Sequence, residues 1–166
     1  MDNAHRIVVE IGKVSPEGEA FQGSVPADML DLEGDRFVRP EGPVEFDFFL
    51  QLIPHELIVT GTVQSEVKVL CGRCAGFFST TLRVSSFLRA YPIQDGAETV
   101  ELTEDVREDL LLEIPSYPSC SWDGEGICPF SGVDLNELKQ PPAPARAECW
   151  DELNRLTSAP DPSADQ

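Results

Sequence analysis

Two cysteines two residues apart, in Cys71-Gly72-Arg73-Cys74, interrupt a long stretch of period-two sequence, and this limits what the chain can fold into. Before them, Leu57, Val59, Gly61, Val63, Ser65, Val67 and Val69 alternate with mostly polar residues; after them, Phe78, Thr80, Leu82, Val84, Ser86 and Leu88 take the alternation up again. Such alternation suits a strand with one buried face, and a Gly-containing knuckle between two such runs predicts a β-hairpin. The hairpin tip holds both sulfurs on one short, stiff turn. That geometry suits chelation of a thiophilic metal, and it also suits a redox disulfide.

The pattern extends upstream. Val44, Phe46, Phe48, Leu50 and Leu52 alternate as well, and Pro54-His55-Glu56 reads as a turn. Residues 44–90 are therefore predicted to form a three-stranded antiparallel meander. Gly61, inside the middle strand, predicts a bulge or bend that curls the sheet. Ile7, Val9 and Ile11 predict a first strand, and Pro26 to Leu30 a short helical turn, while residues 19–43 otherwise show no clean period. Thr99 to Leu102 reads as short and extended. Thr103 reads as the N-cap of a helix over 103–114, with Glu104 and Asp105 at the positive end of its dipole. Val106, Leu110 and Ile114 fall four apart, Leu111 and Leu112 widen the stripe, and Pro115 stops the helix. The fold class is α+β: a strongly twisted or barrel-like antiparallel β-sheet with one main amphipathic helix and a short C-terminal helix. A proline-rich linker at 139–146 separates a domain at 1–138 from residues 139–166, where 147–157 reads as the short helix and the remainder as a disordered tail.

The formal net charge is −18. An acidic surface repels phosphate backbones, which disfavours broad nonspecific nucleic-acid binding and favours basic protein partners. The N-terminus, Met1-Asp2-Asn3-Ala4-His5-Arg6, leads into a strand rather than an apolar signal core, and no run is long enough for a membrane helix. Five cysteines without an export signal predict the cytoplasm and reduced thiols.

Four of those cysteines, Cys71, Cys74, Cys120 and Cys128, are candidate ligands of one shared zinc ion. The second pair is spaced more loosely than in most zinc ribbons, so cysteines that are simply buried, or that serve redox chemistry, stay open as alternatives. Nothing resembles an iron–sulfur cluster spacing. Cys149 reads as a bystander. The acids Glu104, Asp105, Glu108 and Asp109 read as a solvent face of the helix. His5 and His55 are isolated near a strand end and a turn, and no catalytic triad order, phosphate loop or dinucleotide fingerprint occurs, so no enzyme is predicted. Lys68, Arg73, Arg83 and Arg89 run along the hairpin and are candidate contacts to a partner or to RNA. Arg73, between the thiols, is placed to offer its guanidinium to a phosphate or carboxylate.

Three blocks carry a family resemblance: Val69, Cys71, Arg73, Cys74 and Phe78 on the hairpin; Val106 to Pro115 followed by Pro118 and Cys120; and Gly126-Ile127-Cys128-Pro129 followed by Gly132, Asp134, Leu135 and Asn136. In order and spacing these resemble the YceD family, the large-ribosomal-RNA accumulation proteins, over roughly residues 44–157. Many members carry further cysteines in the last block, where this chain has Gly124 and Ser131. The resemblance implies a cytoplasmic, non-enzymatic factor for accumulation or processing of large-subunit ribosomal RNA. It would act in ribosome assembly on basic ribosomal proteins or a pre-ribosomal particle. The alternative is a zinc-holding or redox-responsive interaction module unrelated to ribosomes.

Overall fold

The computed structural model describes residues 5–94 and 96–134. Six strands and one α-helix occur among them: β1 (Val8–Glu10), β2 (Glu19–Val25), β3 (Val38–Ile53), β4 (Glu56–Leu70), β5 (Phe77–Pro92), β6 (Thr99–Glu101) and α1 (Thr103–Leu112). The linker, the C-terminal helix and tail, Cys149 and the boundary at 138 lie outside the described residues.

The alternating segments pair as predicted and gain a neighbour. β2, β3, β4 and β5 form an antiparallel sheet in that order, while β1 and β6 pair in a separate two-stranded ribbon. The strand missed in the sequence is β2. It is an edge strand whose only buried residue is Val25, with Phe21 partly buried, so its exposed positions carry no apolar period. The α+β class holds, but the barrel-like option does not: β2 and β5 are the two edges of an open sheet and do not pair with each other. Closure would need complementary strand tilt and stagger at those edges, and β2, with 7 residues against 16 in β5, is too short to match it.

Gly61 sets the centre of the sheet. In register it lies between Phe48 on β3 and Phe87 on β5. Because Gly61 has no side chain, those rings meet across β4, with centroids 5.0 Å apart. Phe46 and Phe21 continue the aromatic row at 5.2 Å steps. The expected irregularity is a bulge: the β4–β5 register shifts between Gly61 and Val63, and the extra residue falls on β5 at Ser85–Ser86. Gly61 itself has φ +152°, and a Cβ there would stand 2.1 Å from the Asp47 carbonyl oxygen and 2.8 Å from Phe48 Cα. Both obstacles are backbone and cannot swing aside. Gly61→Ala is expected to cost about 3 kcal/mol, read as a lower urea midpoint at unchanged m-value.

Helix α1 packs on the core face of the sheet, against β4, β5 and the 3-10 turn at Ala27–Leu30. Val106 and Leu110 are fully buried, and Ile114 packs partly against the core. Leu112, however, is 74% exposed, so the stripe is narrower than predicted. Thr103 is the first helical residue and not the cap: its Oγ1 accepts the Ile7 N–H at 3.0 Å, tying the helix to the chain just before β1. Nor are all four helix acids a solvent face. The Tyr91 hydroxyl donates to Asp105 at 2.6 Å, and the Arg89 guanidinium pairs with Asp109. Burial, then the bond to Asp105, holds the Tyr91 phenol protonated well above its usual range. No helix among the described residues is long and apolar enough to cross a membrane.

Candidate metal centre

The hairpin tip, Cys71 to Gly76, is closed by its own backbone. Cys71 N–H donates to the Gly76 carbonyl at 2.9 Å, and Ala75 N–H to the Cys71 carbonyl at 3.0 Å. Ala75 takes up the left-handed turn, with φ +55°. This knuckle points amides at the sulfurs: Arg73 N–H lies 3.4 Å from Cys71 Sγ, and Gly76 N–H 3.4 Å from Cys74 Sγ.

The segment after α1 returns to the tip. Pro115 and Pro118 lead it past the knuckle, and the Gly72 N–H donates to the Pro118 carbonyl at 2.9 Å. Cys120 N–H then adds a third amide–sulfur contact, 3.4 Å from Cys71 Sγ. The loop beyond is built on turns at Gly124, Gly126 and Gly132, all at positive φ, and is closed by Cys128 N–H donating to the Val133 carbonyl at 2.9 Å. It seats directly on Gly76, where a Cβ would stand 2.9 Å from the Phe130 carbonyl carbon.

The result is a buried thiol cluster in which Cys120 meets Cys71 and Cys74 across 49 and 46 residues of sequence. Cys71, Cys74 and Cys120 have their sulfurs all within 4.8 Å of one another, and Cys74 Sγ and Cys120 Sγ are 3.8 Å apart. Four thiolates at the usual zinc–sulfur distance of about 2.3 Å would sit at tetrahedral edges of about 3.8 Å. Cys128 is 1% exposed and belongs to the same buried cluster, but is outside the tighter trio. Trp122 roofs the cluster, held by its indole N–H donating to the Glu125 carbonyl at 2.8 Å.

The electrostatics suit thiolates. Burial pushes the Cys71 thiol up, but the amides of Cys120, Cys74 and Arg73 outweigh it and bring it down to about 6. At Cys128, burial is likewise outweighed, by Ser131 and the backbone of Phe130, leaving it at about 7. Burial and the neighbouring sulfurs hold Cys120 up at about 11. A cluster that ionises in part, with burial above all keeping the proton on Cys120, can hold a metal ion, which would replace that proton.

The predicted contact cations do not form one group. Lys68 is on the outer face of the sheet and pairs with Glu41 at 2.6 Å. Arg83 is exposed on that same face. The β5 bulge turns Arg89 to the opposite face, where Asp105 and Asp109 hold it and it lies over Phe87. Arg73 is at the tip, donating to the Trp122 carbonyl at 2.7 Å, so it braces the cysteine loop. His5 faces Asp28 at 3.7 Å, and His55 sits in the β3–β4 turn. Sequence reading missed Trp122, whose only signal was an aromatic two residues after a candidate ligand, and the amide donors, which have no sequence signal.

Fold and site together define a small antiparallel-sheet protein with a thiol-rich hairpin tip bound to a returning loop. No family model matches the chain. Curated proteins similar to it include "Uncharacterized protein Rv2926c" and "Uncharacterized protein MT2996" of Mycobacterium tuberculosis and "Uncharacterized protein Mb2951c" of Mycobacterium bovis. Each is 29% identical over 108 residues, covering 55% of this chain and 51% of the relative. The chain thus matches about half the length of these relatives. No solved structure matches it.

Proposed function

We propose that this protein is a non-enzymatic docking factor whose hairpin tip is locked by one zinc ion, and that it serves accumulation of large-subunit ribosomal RNA during ribosome assembly. The observation that carries the clamp is the convergence of Cys71, Cys74 and Cys120 from two distant segments, with backbone amides already aimed at the sulfurs. Cys128 is the fourth ligand, brought in by a small closing movement of its loop. Zinc suits this all-sulfur set and needs no redox partner. The role is structural: all the donors are protein thiolates, which leaves no open position for a substrate.

The ribosomal part of the reading is supported by the order of the three resembling sequence blocks. They include the knuckle and both cysteines of the Cys120–Cys128 loop, the segments the clamp would join. The acidic balance fits a body that holds basic ribosomal proteins. The experiment is a pull-down from cells with the intact chain and with a Cys71→Ser/Cys74→Ser double variant. Co-purification of large-subunit proteins and precursor RNA with the intact chain, lost in the variant, is the expected result. Recovery of no ribosomal component with the intact, zinc-loaded chain would overturn the assembly role.

A further inference from the structure

The cations of this acidic chain are not evenly neutralised. Arg6, Lys13, Lys68, Arg89 and Arg107 each pair with a carboxylate. Among the described residues, Arg36, Arg39, Arg73 and Arg83 form no ion pair. Three of these, Arg36, Arg39 and Arg73, lie at or beside the hairpin tip, and Arg83 is on the same outer face.

The same place presents an aromatic surface. Val38 and Val69 are paired and buried, so Phe37, Arg39, Lys68 and Leu70 point to the outer face. The Leu70 N–H donates to the Phe37 carbonyl at 2.8 Å, and Leu70 pairs with Phe77 in register, which sets Phe37, Leu70 and Phe77 side by side. The next row is Arg39, Lys68 and Ser79, and the Arg39 guanidinium lies 4.1 Å over the Phe77 ring. Phe37 is 63% exposed, yet it is not on a loose loop. The Asp35 carboxylate accepts the N–H groups of Phe37 and Val38 at 2.7 and 2.8 Å, so the backbone that carries the ring is fixed from both sides. Glu41 pairs with Lys68, and Glu66, one pleat further from the tip, ends the patch.

We infer that this outer-face patch binds single-stranded RNA, with a base stacked on Phe37 and phosphates held by Arg36 and Arg39. A rigid exposed ring beside unpaired guanidiniums is the combination that single-stranded nucleic acid uses: bases stack on the ring and cations follow the backbone. Its anionic border limits the footprint to a few nucleotides and rejects duplex, whose closely spaced phosphates would run onto Glu41 and Glu66. The inference depends on the assembly reading only in taking ribosomal RNA as the physiological strand.

The test uses the zinc-loaded chain and a fluorescein-labelled ten-nucleotide oligouridylate, titrated at several salt concentrations. Binding is expected with a log–log salt slope of about −1.4, for about two cations engaged by a single strand. Phe37→Ala and Arg36→Ala/Arg39→Ala should each weaken it roughly tenfold, and Phe37→Trp should restore stacking. Arg107→Ala, which removes an ion-paired cation on α1, should leave it unchanged. Variants are compared only where their melting curves match that of the parent. No binding by the parent chain, or equal binding by all variants, overturns the proposal. Equal competition by a poly-glutamate peptide also overturns it, in favour of an acidic protein partner. If the parent and Phe37→Ala co-sediment equally with pre-ribosomal particles and neither binds the oligonucleotide, this surface is wrong while the assembly role stands. If the parent binds the oligonucleotide as expected but never meets the particles, the surface stands and the assembly role falls.

Discussion

Protein purified without chelator or a metal-affinity tag is expected to carry about one zinc per chain, and stripping that zinc is expected to give the largest stability loss of any single manipulation. Structural zinc in small all-protein sites is worth roughly 10 kcal/mol or more of apparent binding energy, and much of that is folding energy. Here the ion would join two elements that share few other bonds: the knuckle meets the returning segment through the Gly72–Pro118 and Arg73–Trp122 hydrogen bonds and the contact of Cys120 N–H with Cys71 Sγ. Without the ion, the Cys71 thiolate stays buried under Trp122 with only backbone amides to balance its charge. The sheet has its own aromatic core and should outlast the tip, so chelation is expected to loosen residues around Cys120 to Asp134 before the strands melt. Hydrogen exchange after chelation checks this directly. Full protection of the loop amides in zinc-free protein would rule the clamp out.

The affinity should also rise with pH. Each thiol must lose its proton to become a ligand, so acid competes with metal. The competition should be unequal. Cys71, at about 6, is already largely thiolate at neutral pH, Cys128, at about 7, is divided, and Cys120, at about 11, still holds its proton. Zinc binding near pH 7.5 is therefore expected to release fewer than four protons, measurable by titration calorimetry in buffers of differing ionisation enthalpy. A count of four would mean that the knuckle amides do not favour the Cys71 thiolate.

Phe48→Ala should be the most damaging substitution in the sheet. Phe48 is 1% exposed and stands between Phe46 and Phe87, with centroids 5.2 and 5.0 Å away. Its neighbour across β4 is Gly61, which has no side chain to fill the space left behind. Removing the ring loses the burial of a large apolar group and leaves a cavity that the surrounding strands cannot close, at an expected cost of about 3–5 kcal/mol. Denaturant unfolding of the zinc-loaded variant checks it. A loss below about 1 kcal/mol would show that the row collapses to refill the gap, contrary to the close packing expected of a core. Phe48→Leu, which keeps most of the volume, should recover much of the difference.

The sequence by itself determined the ribbon. Period-two patterning fixes which face of β3, β4 and β5 is buried, since a slip of one residue would turn Phe46, Phe48, Val59 and Val63 to water. It likewise placed the knuckle, because a C-x-x-C between two such strands has to be a turn, and it placed the bend at Gly61, because a glycine inside a strand has no side chain to pack. Val106 and Leu110 were legible for the same local reason. What only the tertiary structure decided is everything that depends on two distant segments meeting. The strand β2 hides its edge role in polar residues. The bulge on β5 sends Arg83 and Arg89 to opposite faces, although they are only six apart in sequence. Two of the four helix acids turn inward because Arg89 and Tyr91 are there to receive them. The convergence of Cys120 on Cys71 and Cys74 follows from a path through Pro115 and Pro118 that no local pattern encodes. The amides that favour thiolates are backbone groups, present in every sequence and aimed only by the fold.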